Sequence, residues 1–172
     1  MSDAVARTGE RRGSPLAGIG WALAAVVPVG VAGVLGSSAT LPNIPTWYAG
    51  LAKPAFTPPN WLFGPAWTVL YLMMAVAIWR VLSRPGERPG RRPAVAAYFV
   101  QLALNAAWSW VFFALHSPAL GLAVILALVA MLVVTIRLFA RIDRAAAWLL
   151  VPYLAWVAFA SYLNAGVLWL NR

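Results

Sequence analysis

Three amides and a set of indole rings are the residues of this 172-residue chain with chemistry to offer. Gln101, Asn105 and Asn164 stand in long apolar runs. An amide in hydrocarbon is expensive unless satisfied, so all three are expected to face the interior of a helix bundle. Helical spacing brings aromatic rings beside them. Trp67, Tyr71, Met74 and Ile78 share one helix face, as do Gln101, Asn105, Trp108 and Phe112, and again Tyr153, Trp156, Ala160 and Asn164. Such stripes serve one of two ends. The amides can hydrogen-bond between helices, for about 1 kcal/mol or less per pair. Alternatively, the deep rings Trp67, Trp108 and Trp156 can stack on a flat ligand while an amide fixes its orientation. Trp21, Trp148 and Trp169 lie near the ends of apolar runs and read as anchors at the membrane–water interface.

The chemistry that is missing narrows the function classes. No Asp, Glu, Lys or His falls inside an apolar run, and Arg80 and Arg137 sit only at run ends. General acid–base catalysis has no buried carboxylate or imidazole to use. Proton-coupled antiport by an intramembrane carboxylate is excluded for the same reason. His116 alone cannot build a metal site, and there is no Cys to supply a thiolate. No catalytic residue and no metal site are therefore assigned.

The elements that must position these groups are helices in a bilayer. The chain is 63% apolar and 10% charged, with a mean hydropathy of +0.79; soluble domains carry roughly a quarter charged residues. Five segments, near Leu16–Ser37, Gly64–Ser83, Ala94–Leu115, Ala119–Phe139 and Ala145–Leu170, reach the ~20 residues that a bilayer core requires. The fold class is an all-α membrane protein, a bundle of five transmembrane helices with a long aromatic first loop. Residues 1–14 read as a disordered basic tail and residues 15–172 as one domain. The first apolar run exceeds the length of a signal-peptide core, so it is expected to remain as a helix. The net charge of +9 does not indicate nucleic acid. Eleven of the thirteen basic residues flank alternate loops and fall on one side of five spans, leaving Lys53 and Arg172 on the other. That bias predicts a cytoplasmic N terminus and an outside C terminus in a multi-pass cell-membrane protein.

The connector between the first two spans, about Ser38 to Phe63, is the only long one outside the tail. From Trp47 to Tyr71 the chain holds three Trp, two Tyr and four Pro, with Lys53 as its one basic residue. Lys53-Pro54 and Thr57-Pro58-Pro59 force extended or turn backbone, so the second helix cannot begin before them. Pro65 suits that helix's first turn, where its missing N–H costs nothing. A stiff, aromatic, nearly uncharged loop is suited to folding back over something apolar.

Four motifs in order, WYAGLAKP, FTPPNWLFGPAWTVLY, QLALNAAWSWVFF and VPYLAWVAFASYLN, resemble the TspO/MBR family of tryptophan-rich sensory proteins over roughly residues 16–172. That family includes the mitochondrial translocator protein, formerly called the peripheral benzodiazepine receptor. The resemblance implies five helices, a homodimer, and a cavity under the first loop that takes porphyrins or isoquinoline and benzodiazepine ligands. Carried over by motif, the ligand-binding residues would be Trp47, Tyr48, Trp67, Tyr71, Asn105, Trp108, Trp156 and Ala160. Protoporphyrin IX or heme is the ligand it implies, with no obligatory cofactor. The pattern proposed for cholesterol fails here, because Tyr162 is followed by no basic residue until Arg172. Partners expected on this basis are a tetrapyrrole or another flat apolar molecule, the lipid bilayer and a second copy of the chain. The function expected is porphyrin sensing, transport or regulation of tetrapyrrole metabolism. The alternatives are light- and oxygen-dependent porphyrin breakdown, or a regulatory module acting on pigment synthesis or stress responses.

Overall fold

The computed structural model describes residues 15–85 and 89–172; the expected basic tail, Glu87 and Arg88 lie outside them. The element order is α1 (Pro15–Thr40), α2 (Asn60–Leu82), α3 (Arg91–Ser109), α4 (Pro118–Ala140), α5 (Arg144–Leu149) and α6 (Val151–Leu170). A π-helical turn, Trp110–Ala114, continues α3, and α5 with α6 forms one bent span. Among the described residues, five stretches are thus long and apolar enough to cross a membrane, and the fold class is the one the sequence predicts.

Three boundaries differ from expectation, each for a local reason. The second helix starts at Asn60, directly after Pro59, rather than at Gly64. Nothing beyond Pro59 forbids the helical backbone, so the helix uses the residues that the sequence reading assigned to the connector. Pro65 therefore lies inside the helix, where it leaves the Trp61 carbonyl without its i+4 donor. The last span breaks at Leu150, because Pro152 cannot donate to Trp148. The third span ends in a widened turn instead of continuing as α-helix.

Side-chain size and polarity divide the bundle into two halves. At the arginine-bearing end, Met74, Ile78, Tyr98, Leu128, Leu132, Phe139 and Tyr153 interlock with almost no exposure. At the other end, α1, α2, the π turn and α6 diverge beneath the first loop. α3 packs on α4 and α1, α4 on α6, α1 on α2, and α2 on α5. Between α4 and α6 the close approach depends on Gly121, where a methyl group would lie 2.9 Å from Asn164 Oδ1.

Asp143 joins the helix ends at the arginine-bearing side. Its carboxylate accepts hydrogen bonds from Arg80 and Arg84 and from the Ala146 N–H, which caps α5. Arg91 donates in turn to the Arg84 carbonyl. Burial by itself would raise the Asp143 pKa; the hydrogen bonds from Arg84, Ala146 and Arg80 outweigh it and hold the value at about 2. A carboxylate whose pKa is lowered on folding stabilises the fold above its unfolded value of about 3.9, and that contribution is lost as pH falls through the folded value. Asp143→Asn keeps a capping oxygen and removes the charge. It is expected to lower stability at neutral pH by about 1–2 kcal/mol, a modest figure because both guanidiniums are a third or more exposed. Thermal unfolding in lipid nanodiscs checks this: the wild-type advantage should disappear between about pH 4 and pH 2.

Candidate functional site

A cavity of about 500 Å³ occupies the divergent half of the bundle. Its floor is the hydrogen bond from Tyr71 to Asn105 Oδ1, 2.9 Å long. Trp67, Tyr71 and Phe63 line it from α2, Trp108 from α3, and Phe112 and Phe113 from the π turn. Trp156, Ala160, Leu163 and Asn164 close it from α6, and Gly33 and Gly36 form the α1 wall. The two glycines let α1 approach the Tyr71 ring; a methyl group on Gly33 would lie 3.4 Å from it. Polar contacts come from Ser37, Thr40, Asn60, Thr68, Ser109 and Asn164, and no formally charged side chain is among the lining residues. A volume of this size, apolar walls and a few placed hydrogen-bonding groups match the usual character of a small-molecule site.

The roof is the first loop, which turns through Leu41–Trp47, makes a 3₁₀ turn at Tyr48–Gly50 and runs on to Pro59. Tyr48 is buried under it, with ring centroids 5.6 Å from Phe113 and 6.4 Å from Phe112. Burial raises the pKa of its hydroxyl, so the roof carries no ionised phenol at working pH. Asn171, just past α6, holds the loop by two hydrogen bonds of 2.9 Å, one to the Ala52 N–H and one to its carbonyl. Tyr162 donates to the Ala55 carbonyl, and the Pro54 ring rests on Gly166, where there is no side chain to obstruct it. The loop prolines reduce the conformational entropy lost in adopting this path. Lys53 donates to the Ala49 and Leu51 carbonyls and lies 4.8 Å from the Tyr48 ring centroid, so its charge serves the loop itself.

Of the eight residues carried over by motif, six come together on the cavity wall: Tyr48, Trp67, Tyr71, Trp108, Trp156 and Ala160. Trp47 does not. It stacks on His116 with centroids 4.6 Å apart and meets Phe112 edge-on, bracing the loop from outside. His116 is more than a turn residue, since its Nε2 also lies 2.9 Å from Asn43 Oδ1 at the start of the loop. Asn105 lies beneath the lining and acts through Tyr71. Asn164 is buried, accepts from Trp108 Nε1 and donates to the Pro118 carbonyl. Gln101 is wholly buried as its stripe predicts, yet neither of its amide atoms has a hydrogen-bond partner. Residues that the motif reasoning missed include Phe113, Trp61 and the α1 glycines. The signal that could have found the glycines is their spacing, since Gly33 and Gly36 stand three positions apart on one helix face.

Fold and site together define a multi-pass helical membrane protein with an aromatic cavity beneath a tethered first loop. Residues 24–170 match the TspO/MBR family, and the chain belongs to it. It is 43% identical over 139 residues to the tryptophan-rich protein TspO of Chlorobaculum tepidum, covering 81% of this chain and 88% of that one. It is 42% identical over 149 residues to the TspO protein of Archaeoglobus fulgidus, covering 87% and 95%. To the human translocator protein it is 37% identical over 121 residues, covering 69% and 70%.

Proposed function

We propose that this protein binds a flat, largely apolar ring system of the tetrapyrrole class in the cavity beneath the first loop, and senses or carries it. The observation that supports this reading is the convergence of Trp67, Trp108 and Trp156, with Tyr48 and Tyr71, on one cavity of about 500 Å³. Indole and phenol faces offer a macrocycle stacking surface on several sides, and the Ser109 side chain offers a hydrogen bond at its edge. With no charge in the wall, porphyrin carboxylates would remain at the water-facing mouth rather than pair inside. The human relative's name, translocator protein, is in keeping with a carrier role. The arginines at one end of the bundle favour a cytoplasmic N terminus, which would put the cavity mouth outside. Labelling of single cysteines introduced into this Cys-free chain, at Gly50 and at Arg141, reads that orientation from intact cells: only the first should react with an impermeant maleimide.

Trp67→Ala and Trp156→Ala test the pocket. Each removes one stacking face, and each is expected to weaken protoporphyrin IX binding roughly 5- to 30-fold, as about 1–2 kcal/mol of lost contact implies. The shift of the porphyrin absorption band on titration measures this without depending on protein fluorescence. Unchanged affinity in both variants would place the ligand elsewhere.

A further inference from the structure

We infer that an apolar ligand reaches the cavity sideways, out of the lipid, through the seam between α2 and α6, and that Trp156 is the door. This rests on the cavity reading above. A second apolar groove lies on the outer face of the same two helices, with Pro65 and Val69 on one bank and Pro152 and Phe159 on the other. Among the described residues, Trp156 is the one that lines both this groove and the inner cavity. Its indole therefore stands between the bilayer side and the inside.

The seam is weakly made. α2 packs on α5 near the arginine-bearing end but hardly touches α6. Among the described residues, what spans the gap is ring contact: Phe63 edge-on to Trp156 at 5.9 Å, and Trp67 edge-on to Tyr153 at 6.1 Å. Both banks also carry a proline inside or at the start of a helix, which removes a backbone hydrogen bond and leaves the helix easier to bend. The roof is the reverse case. Asn171, Tyr162, Gly166 and the π turn all hold it, through three hydrogen bonds and the burial of Tyr48. Lifting the roof breaks polar contacts and exposes a tyrosine, whereas opening the seam parts only two edge-on ring pairs. The lower-energy opening faces acyl chains. Molecules that this route admits are largely apolar and already dissolved in the membrane.

The absence of native cysteine makes the route testable. Ala66→Cys with Ala155→Cys places one thiol on each bank of the groove, and Ala52→Cys with Asn171→Cys replaces the roof clasp. Each pair is bridged with bismaleimides of graded length in lipid nanodiscs, and protoporphyrin IX is delivered from vesicles in a stopped-flow experiment. Bridging the seam is expected to slow association and dissociation together by at least about tenfold, with the equilibrium constant within about twofold of the unbridged protein. Bridging the roof should leave both rates unchanged. Val69→Cys with Phe159→Cys supplies a second seam pair should the first disturb folding. If saturable binding persists while the roof bridge slows exchange and the seam bridge does not, the lateral route is wrong and the cavity reading stands. If the unmodified protein shows no saturable binding, both fall together.

Discussion

Gly166→Ala is expected to lift the first loop without weakening the bundle. A methyl group at this position would lie 2.5 Å from both Cβ and Cγ of Pro54. The pyrrolidine ring has no rotamer with which to avoid it, so the loop must move, and forced overpacking of this kind costs about 1–3 kcal/mol. The helix itself prefers alanine to glycine by about 1 kcal/mol, so the helical span should be at least as stable as before. The two effects separate cleanly in measurement. Proteolysis of the Leu41–Pro59 loop should quicken while the thermal midpoint holds or rises. Protoporphyrin IX affinity should fall roughly 5- to 160-fold if the closed roof carries that penalty. A loop as protected in the variant as in the wild type would show that Pro54 does not rest on this glycine.

Asn164→Leu is expected to be the most damaging single change in the cavity wall. Asn164 ties three helices together, accepting from Trp108 on α3 at 3.1 Å and donating to Pro118 on α4 at 2.7 Å. Leucine keeps the branched skeleton, though it is bulkier, and has neither polar group, so an indole N–H and a carbonyl lose their partners in an apolar setting. Interhelical hydrogen bonds in membranes average about 0.6 kcal/mol and reach about 1.7, so losing two predicts about 1–3 kcal/mol. Thermal unfolding in nanodiscs should show the loss. Adding Gly121→Ala should deepen it less than additively, since the added methyl would press on the same amide.

Those two residues show where sequence reasoning reaches and where it stops. Asn164 was legible as an inward-facing amide, because apolar neighbours and helical period leave it no other direction. Its partners were not, since they depend on which helices become neighbours. The stripe Trp67–Tyr71–Met74–Ile78 was also legible as one face. Nothing in the period showed that its first half would line a cavity and its second half fill a core. That division follows from the divergence of α1, α2 and α6 at one end. Trp47 stands off the cavity wall for a related reason: the motif locates it in the loop, but the side its ring takes is set by His116, 69 positions later. The π turn left no periodic signature. Within it the adjacent rings of Phe112 and Phe113 are both buried, with centroids 4.9 Å apart.

The Asn171–Ala52 clasp also bears on how the molecule is made. The two residues are 119 positions apart. During synthesis the first loop leaves the ribosome long before the helix on which it must rest, and at ~5–20 residues per second that interval lasts several seconds or more. Until α6 inserts, the loop has neither its clasp nor Gly166, and Trp156 is not yet there to close the wall. On the proposed reading of the cavity, ligand capacity waits for α6, and a nascent protein stalled after α4 should hold none.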